Sequence, residues 1–224
     1  MSALFVTATG TGIGKTYVTA GLLRHLRGKG QDVAALKPVL SGFDAIPGSD
    51  PALLLEAMGV TANPETVAQI SPWRFTAPLS PDMAAAREGR AIDFDALVAF
   101  CRAEAARPGA LLIEGVGGVM VPLDGRHSVL DWMTALRFPV LLVTGSYLGS
   151  LSHTLTAAAV LERAGLTAAA LVIDDSGDGA VPLADTTATL RRFLPGVPLV
   201  PLPRPAGEAD FAALAVQVFQ EIKT

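Results

Sequence analysis

Short apolar runs alternate along the chain with segments whose apolar residues recur at helical spacing. The runs are apolar throughout rather than at every second position, which is typical of strands buried on both faces of a parallel sheet. Strands are predicted at residues 4–6, 33–37, 110–114, 139–144, 168–173 and 197–200. Helices are predicted at residues 15–27, 51–58, 82–88, 93–106, 128–136, 150–164, 184–193 and 208–223. This alternation predicts one α/β domain over residues 1–224, with a mostly parallel sheet and helices on both faces.

Two longer segments carry no such pattern and are predicted to be irregular. Residues 39–50 hold the turn residues Gly42, Pro47 and Gly48, and residues 61–81 carry four of the prolines. Proline and glycine interrupt regular structure, so we expect loops in both places.

Composition narrows the class of protein. Half of the 224 residues are hydrophobic, but the longest apolar stretches fall far short of the roughly 18 residues that a membrane span needs. A net charge of −4 argues against nucleic acid as a partner. Cys101 is the single cysteine, and no basic segment precedes the first strand. We therefore expect a cytoplasmic protein that acts on small molecules.

A glycine-rich loop, Thr-Gly-Thr-Gly-Ile-Gly-Lys-Thr at residues 9–16, joins the first predicted strand to the first helix. Backbone N–H groups in such a loop, together with the helix N-terminus, bind anions. Lys15 would reach the β- and γ-phosphates, and the Thr16 hydroxyl would ligate Mg²⁺. Thr9 stands where the usual pattern has its first glycine. This phosphate loop predicts a P-loop NTPase-like fold that binds a nucleoside triphosphate and Mg²⁺. The expected nucleotide contacts here are Gly12, Ile13, Gly14, Lys15, Thr16 and Tyr17.

Two more ionisable residues should meet the phosphate loop, because ligands of open α/β sheets sit beyond the carboxyl ends of the strands. Glu114 ends an apolar strand, the position of an acid that completes a Mg²⁺ shell. Lys37 ends another, and two lysines at a γ-phosphate stabilise the charge of a transferring phosphoryl group. Asp50 comes just before the next predicted helix, so it could equally be a metal ligand or a plain N-cap of that helix. The expected catalytic residues are Lys15 and Lys37, and the expected magnesium ligands are Thr16, Asp50 and Glu114.

Blocks spread over essentially the whole chain resemble the dethiobiotin synthetase family of the biotin pathway. Among them are Lys-Pro-Val at 37–39 with Ser-Gly at 41–42, Phe-Thr-Ala-Pro at 75–78 with Ser-Pro at 80–81, and Glu-Gly at 114–115 with Gly-Gly at 117–118. The phosphate loop alone would indicate only an NTPase. The further blocks, in their order and in a chain of this length, are specific.

The resemblance implies an ATP-dependent ligase that converts 7,8-diaminononanoate and CO₂ to the cyclic urea dethiobiotin, releasing ADP and phosphate. One amine takes up CO₂ as a carbamate, ATP phosphorylates the carbamate, and the second amine displaces phosphate. The substrate contacts that it implies are Thr11, Lys37 and Ser41. The further nucleotide contacts that it implies are Glu114, Gly115, Val116, Gly117, Asp174, Asp175, Pro203, Arg204 and Pro205.

The resemblance also implies a homodimer in which the substrate's carboxylate tail reaches the partner subunit. The matching positions are Gly149, Ser150 and Leu151, a glycine loop that opens a helix and is therefore suited to an anion.

The chain departs from the family at two positions. Gly12 stands where some relatives carry an acid in the loop, and Asp174 stands where relatives that prefer ATP have Asn. An amide both donates and accepts hydrogen bonds, whereas an ionised carboxylate only accepts. The substitution therefore predicts a relaxed or altered preference for the nucleotide base.

Two other P-loop functions compete with this interpretation. A nucleotide-switch ATPase of the partitioning or septum-placement type carries an extra lysine early in the loop, and no lysine precedes Lys15 in residues 9–14. An amide ligase acting on a cobalamin precursor carries a glutamine-hydrolysing domain with a nucleophilic cysteine. We expect no such domain, because Cys101 lies in mid-helix among 224 residues.

Overall fold

A parallel sheet forms the centre of the protein in a computed structural model that describes residues 2–175 and 181–220. The strands are β1 (Ser2–Ala8), β2 (Val33–Leu36), β3 (Val39–Ser41), β4 (Trp73–Phe75), β5 (Ala110–Glu114), β6 (Val140–Gly145), β7 (Ala168–Asp174) and β8 (Leu199–Leu202). The helices are α1 (Lys15–Gly28), α2 (Asp50–Ala57), α3 (Pro64–Ile70), α4 (Pro81–Arg87), α5 (Phe94–Ala105), α6 (Val129–Leu136), α7 (Ser150–Arg163), α8 (Leu183–Phe193) and α9 (Glu208–Gln220).

The main sheet has the strand order β2-β5-β1-β6-β7-β8, and neighbouring strands are parallel. The chain winds from β1 towards β2 on one side and towards β8 on the other. The order therefore reverses at β1, and the crevice beyond its carboxyl end is where open α/β sheets bind ligands. The phosphate loop follows β1 directly, which places it at this point.

The apolar runs form the central strands of the main sheet, where helices bury them from solvent. Every residue of β6 is buried, and β5 is buried from Leu111 to Glu114. The apolar residues among them belong to one continuous hydrophobic core. The predicted α/β fold with a parallel sheet is thus confirmed. Within the described residues, no helix combines the length and apolarity needed to cross a lipid bilayer.

The prediction of irregular structure at 39–50 and 61–81 was wrong in part. Strands β3 and β4 pair in parallel as a small second sheet, and each has only three residues, too few to show a period. Helix α3 begins at Pro64 behind a capping box formed by Asn63 and Thr66. Proline is favoured at the first helical position, so Pro64 begins a helix instead of breaking one.

Several element boundaries also differ from the sequence prediction by one or two residues, and strand β1, for example, spans Ser2–Ala8 instead of residues 4–6. Strand β8 spans Leu199–Leu202, two residues later than the predicted 197–200. Three residues of the predicted last helix, 221–223, lie outside the described part of the chain.

A close contact between α1 and α9 yields a stability prediction. A Cβ atom on Gly21 would lie 2.0 Å from the Phe211 ring. Gly21→Ala should therefore destabilise the fold by about 1–3 kcal/mol, because either the buried Phe211 ring or the two helices must shift. Gly28→Ala is the matched control in the same helix, where a Cβ meets nothing within 4 Å. Thermal unfolding should show a lower Tm for the first variant alone, and equal Tm values would contradict the contact.

Candidate active site

The phosphate loop is held open by its own glycines and by neighbouring strands. Gly12 and Gly14 have φ values of 72° and 83°, which favour glycine. The Thr9 N–H donates to the Val143 carbonyl at 3.0 Å and ties the loop to β6. Because α1 begins at Lys15, the loop and the helix N-terminus together present backbone N–H groups to an anion, as the sequence predicted.

Lys15 is buried under this loop. Its Nζ donates to the Gly117 carbonyl at 2.7 Å and to the Gly10 carbonyl at 3.0 Å. Burial, and next the positive charge of Lys37, lower the pKa of Lys15 to about 8. Because this pKa is close to neutral pH, an anionic ligand would favour the protonated form of Lys15.

Lys37, Asp50 and Glu114 form an ionic cluster, which we call the Lys37 cluster; Lys37 and Glu114 are buried, and Asp50 is partly exposed. The Lys37 Nζ donates to Glu114 Oε1 at 2.6 Å, to the Gly115 carbonyl at 3.0 Å and to Asp50 Oδ2 at 3.0 Å. The Thr16 hydroxyl donates to the same Glu114 oxygen at 2.7 Å. The structure thus brings Thr16 together with Lys37 and Glu114, which the strand ends predicted, and with Asp50 at the start of α2.

The charges in the Lys37 cluster support one another. Burial acts to lower the pKa of Lys37, but Glu114 and Asp50 outweigh it and raise that pKa. Burial acts to raise the pKa of Asp50, and the Lys37 ammonium outweighs it and lowers that pKa. Lys37 therefore stays a cation over the whole working pH range and cannot act as a base there.

The oxygen atoms beside Lys37 fit a magnesium ion. Glu114 Oε2 is buried with no hydrogen-bond partner among the described residues, and a buried carboxylate oxygen is costly unless a cation or donor meets it. Thr16 and Asp50 add two more hard oxygen donors next to it. Mg²⁺ typically takes one or two carboxylates together with phosphate oxygens, so this donor set suits a metal that arrives with a nucleotide.

A cavity of about 570 Å³ connects the phosphate loop with the Lys37 cluster. Its lining includes most of the predicted contacts, and these are Thr11, Gly12, Ile13, Gly14, Lys15, Thr16, Tyr17, Lys37, Ser41, Asp50, Val116, Gly117 and Arg204. It also includes residues to which the sequence analysis gave no role: Leu40, Pro78, Leu79, Ser80, Pro81 and Val121. The signal for residues 78–81 was present, because the Phe-Thr-Ala-Pro…Ser-Pro block belongs to the family resemblance.

Tyr17 and Arg204 line this cavity, and Asp174 is paired with Arg204. Asp174 ends β7 and is fully buried. Its two carboxylate oxygens accept from Arg204 Nε at 2.9 Å and from Nη2 at 2.6 Å. Nothing in the sequence around either residue predicted this ion pair. It changes the role expected of Asp174, whose charge is satisfied by Arg204 and is not directed at a base.

The remaining predicted residues lie at the rim or elsewhere. The backbone N–H of Asp175 donates to the Leu202 carbonyl, and Pro203 and Pro205 are exposed on either side of Arg204. Gly149, Ser150 and Leu151 start helix α7 and do not line the cavity within this chain. If they contact the substrate, they must do so from a second subunit.

The lowered pKa of Lys15 gives a pH prediction for nucleotide binding. The protonated ammonium binds triphosphate and predominates below about pH 8. Above that pH the neutral form must take up a proton to bind, so affinity should fall about tenfold between pH 7 and pH 9. Calorimetric titration with a non-hydrolysable ATP analogue measures this. Lys15→Met should bind weakly with little pH dependence, and an equal slope in both proteins would assign the effect to another group.

Comparison with known proteins assigns the chain to a family. A protein-family profile described as an AAA domain matches residues 2–200. An ATP-dependent dethiobiotin synthetase of Acidiphilium cryptum is 52% identical over 202 residues, covering 88% of this chain and 91% of the relative. Another, of Caulobacter sp., is 50% identical over 220 residues, covering 96% and 93%.

Solved structures give a fold likeness only. The cell division ATPase MinD of Pyrococcus furiosus superposes with a TM-score of 0.56 and 19% identity, covering 99% of this chain and 100% of that one. That identity is too low to transfer the switch function that the sequence analysis kept as an alternative. The identity to the synthetases over nearly the whole length is decisive, and this chain belongs to the family of ATP-dependent dethiobiotin synthetases.

Proposed function

We propose that this protein uses ATP to carboxylate 7,8-diaminononanoate and close its ureido ring, forming dethiobiotin, ADP and phosphate. The observation that carries the proposal is Lys37, a fully buried cation in a cavity that also contains the phosphate loop and Ser41. A phosphate loop alone serves any NTPase. A second buried lysine beside it suits an acceptor that is itself an anion, and the carbamate of a diamine is one. Family membership supports the same reaction.

The first step makes the anionic acceptor. One amine nitrogen of the substrate attacks CO₂, a C–N bond forms, and the nitrogen loses a proton to solvent, which leaves a carbamate. The carbamate and the γ-phosphate are both anions and would repel each other at this distance. Lys37 and Lys15 stabilise the negative charge of the carbamate there. Ser41 and Thr11 line the cavity and offer hydroxyl groups to the carbamate or to the free amine.

The second step transfers the phosphoryl group. A carbamate oxygen attacks the γ-phosphorus, the bond from that phosphorus to the β-bridging oxygen breaks, and ADP leaves. The phosphate loop holds the β- and γ-phosphates in line with the acceptor. Mg²⁺, held by Thr16, Asp50 and Glu114, would supply further positive charge to the phosphate oxygens. The second amine then attacks the carbamate carbon, forms the second C–N bond and loses a proton to solvent. The bond from that carbon to the phosphorylated oxygen breaks, and phosphate departs with the oxygen that it received.

Binding of the substrate tail completes the site from a second subunit. The nonanoate carboxylate lies far from the reacting amines, and no cation beyond Lys15, Lys37 and Arg204 lines the cavity within the described residues. Gly149, Ser150 and Leu151 form a helix N-terminus suited to a carboxylate. The Ser150 hydroxyl is buried without a hydrogen-bond partner among the described residues. We assign these residues to the partner in a homodimer, which size-exclusion chromatography with light scattering tests.

Phosphate release tests the proposal against a nucleotide switch. With ATP and Mg²⁺ alone the protein should release almost no phosphate. Adding 7,8-diaminononanoate and bicarbonate together should start turnover, whereas either one alone should not. The proposal would be overturned if phosphate were released at the same rate with and without the diamine, or only in the presence of a protein partner.

A further inference from the structure

The nucleotide end of the cavity contains an arginine whose position is fixed from two sides. Asp174 takes two hydrogen bonds from its guanidinium, and the Arg204 Cζ lies 4.1 Å from the centre of the Tyr17 ring. The Tyr17 hydroxyl in turn accepts from the Ala206 N–H at 2.8 Å, which ties the segment after Arg204 to helix α1. An arginine held in this way is pre-organised, because little side-chain freedom remains to be lost on binding.

This arginine lies where the nucleoside leaves the phosphate loop. Lys15 and the Lys37 cluster mark the γ-phosphate end, so the chain of phosphates runs from there along the loop towards Tyr17. Arg204 and Tyr17 both line the cavity. A Cβ atom on Gly14 would lie 2.7 Å from Arg204 Nη2, so the guanidinium sits directly against the loop.

The atoms that Arg204 can offer to a base are all hydrogen-bond donors. Its bonds to Asp174 use Nε and Nη2 and do not involve Nη1. Asp174 cannot meet a base itself, because it is fully buried and both its oxygens face Arg204. A guanidinium contains no acceptor, so it favours a base edge with two adjacent acceptors. Guanine offers O6 with N7, and cytosine offers O2 with N3. On adenine, the acceptor N7 lies beside the N6 amino group, which is itself a donor and cannot accept a hydrogen bond from the guanidinium.

We propose that Arg204, held by Asp174 and Tyr17, reads the nucleotide base and makes this enzyme accept GTP or CTP at least as well as ATP. This rests on the proposed function only in that the site binds a nucleotide. Asp174 is a positioning residue here, since it acts through Arg204. This selectivity concerns only the nucleotide base, and the transfer of the γ-phosphoryl group is the same for each nucleotide.

Calorimetric titration of the full-length protein with ADP, GDP, CDP and UDP, each with Mg²⁺, tests the proposal. GDP or CDP should bind wild type at least as tightly as ADP. Arg204→Ala should weaken that nucleotide on the order of tenfold, as expected for loss of a bidentate contact, and weaken ADP less than threefold. Arg191→Ala, which removes an exposed arginine from α8, is the matched control and should change none of the four.

A second variant separates base reading from a folding defect. Arg204→Ala leaves the Asp174 carboxylate buried and unpaired, which destabilises proteins. Asp174→Asn combined with Arg204→Ala removes that charge, should restore the Tm, and should still lack the preference for GDP or CDP. Tightest binding of ADP by wild type, or an equal loss for all four nucleotides in both Arg204 variants, would overturn the proposal. Neither outcome bears on the proposed ligase reaction, because this titration measures the binding of nucleoside diphosphates without diamine or bicarbonate.

Discussion

Replacing Lys37 with methionine should reduce the rate of dethiobiotin formation by roughly 10³-fold, the largest loss expected from a single substitution. One preorganised donor to a transition-state charge is worth about 10²–10³ in kcat. Lys37 also offsets the charges of Asp50 and Glu114, which would otherwise repel the phosphates and the carbamate. Methionine keeps most of the buried stem and removes the ammonium, so the loss reports the charge.

The control for this variant is Lys29→Met, which changes an exposed lysine just after α1 and should retain full activity. Because Lys37→Met leaves the buried Glu114 carboxylate and the partly exposed Asp50 carboxylate without their cation, its Tm must be measured beside its rate. Adding Glu114→Gln removes one of those charges and should recover stability without recovering activity. A rate within tenfold of wild type in a folded Lys37→Met variant would contradict the role given to this residue.

Gly14→Ala should weaken nucleotide binding by about 10²-fold. A Cβ atom there would lie 2.2 Å from Asp174 Oδ2, in a residue with φ of 83°. The left-handed conformation costs roughly 1–2 kcal/mol for a residue with a Cβ atom, and the overlap adds to this by displacing the Asp174–Arg204 pair or the loop. Both displacements disturb the nucleotide site.

Gly12→Ala separates strain from overlap in that experiment. Gly12 has φ of 72°, but a Cβ there meets nothing within 4 Å. It should therefore lose only the part of the affinity that backbone strain accounts for, and calorimetry with MgADP compares the two variants. Equal losses would mean that contact with Asp174 and Arg204 contributes nothing to the shape of the site.

Strand ends made the reactive part of the site predictable. Lys37 and Glu114 each follow an apolar run, and carboxyl ends of parallel strands meet at one edge of the sheet. Their convergence with Thr16 therefore follows from sequence order and chain direction. The distances do not, because strand order depends on long-range packing: β2 and β1 are consecutive along the chain, yet β5 lies between them.

Contacts between segments that are far apart in the sequence could not be predicted from local patterns. Asp174 and Arg204 are 30 positions apart and meet only because β7 and β8 are neighbours in the sheet. Arg204 was placed among the nucleotide contacts by family resemblance, but nothing in the local sequence showed that it would neutralise Asp174. The same limit applied to β3 and β4, whose pairing across more than 30 residues is not encoded in a local period.

The fate of the carbamate oxygen tests the central claim, that the γ-phosphate activates a carbamate. The reaction is started with ¹⁸O-labelled bicarbonate, diamine, ATP and Mg²⁺ and is quenched before the label exchanges with water; phosphate and product are then analysed by mass spectrometry. The proposed sequence of bonds carries one labelled oxygen from the carbamate into each phosphate released. Dethiobiotin formed together with unlabelled phosphate would contradict the account.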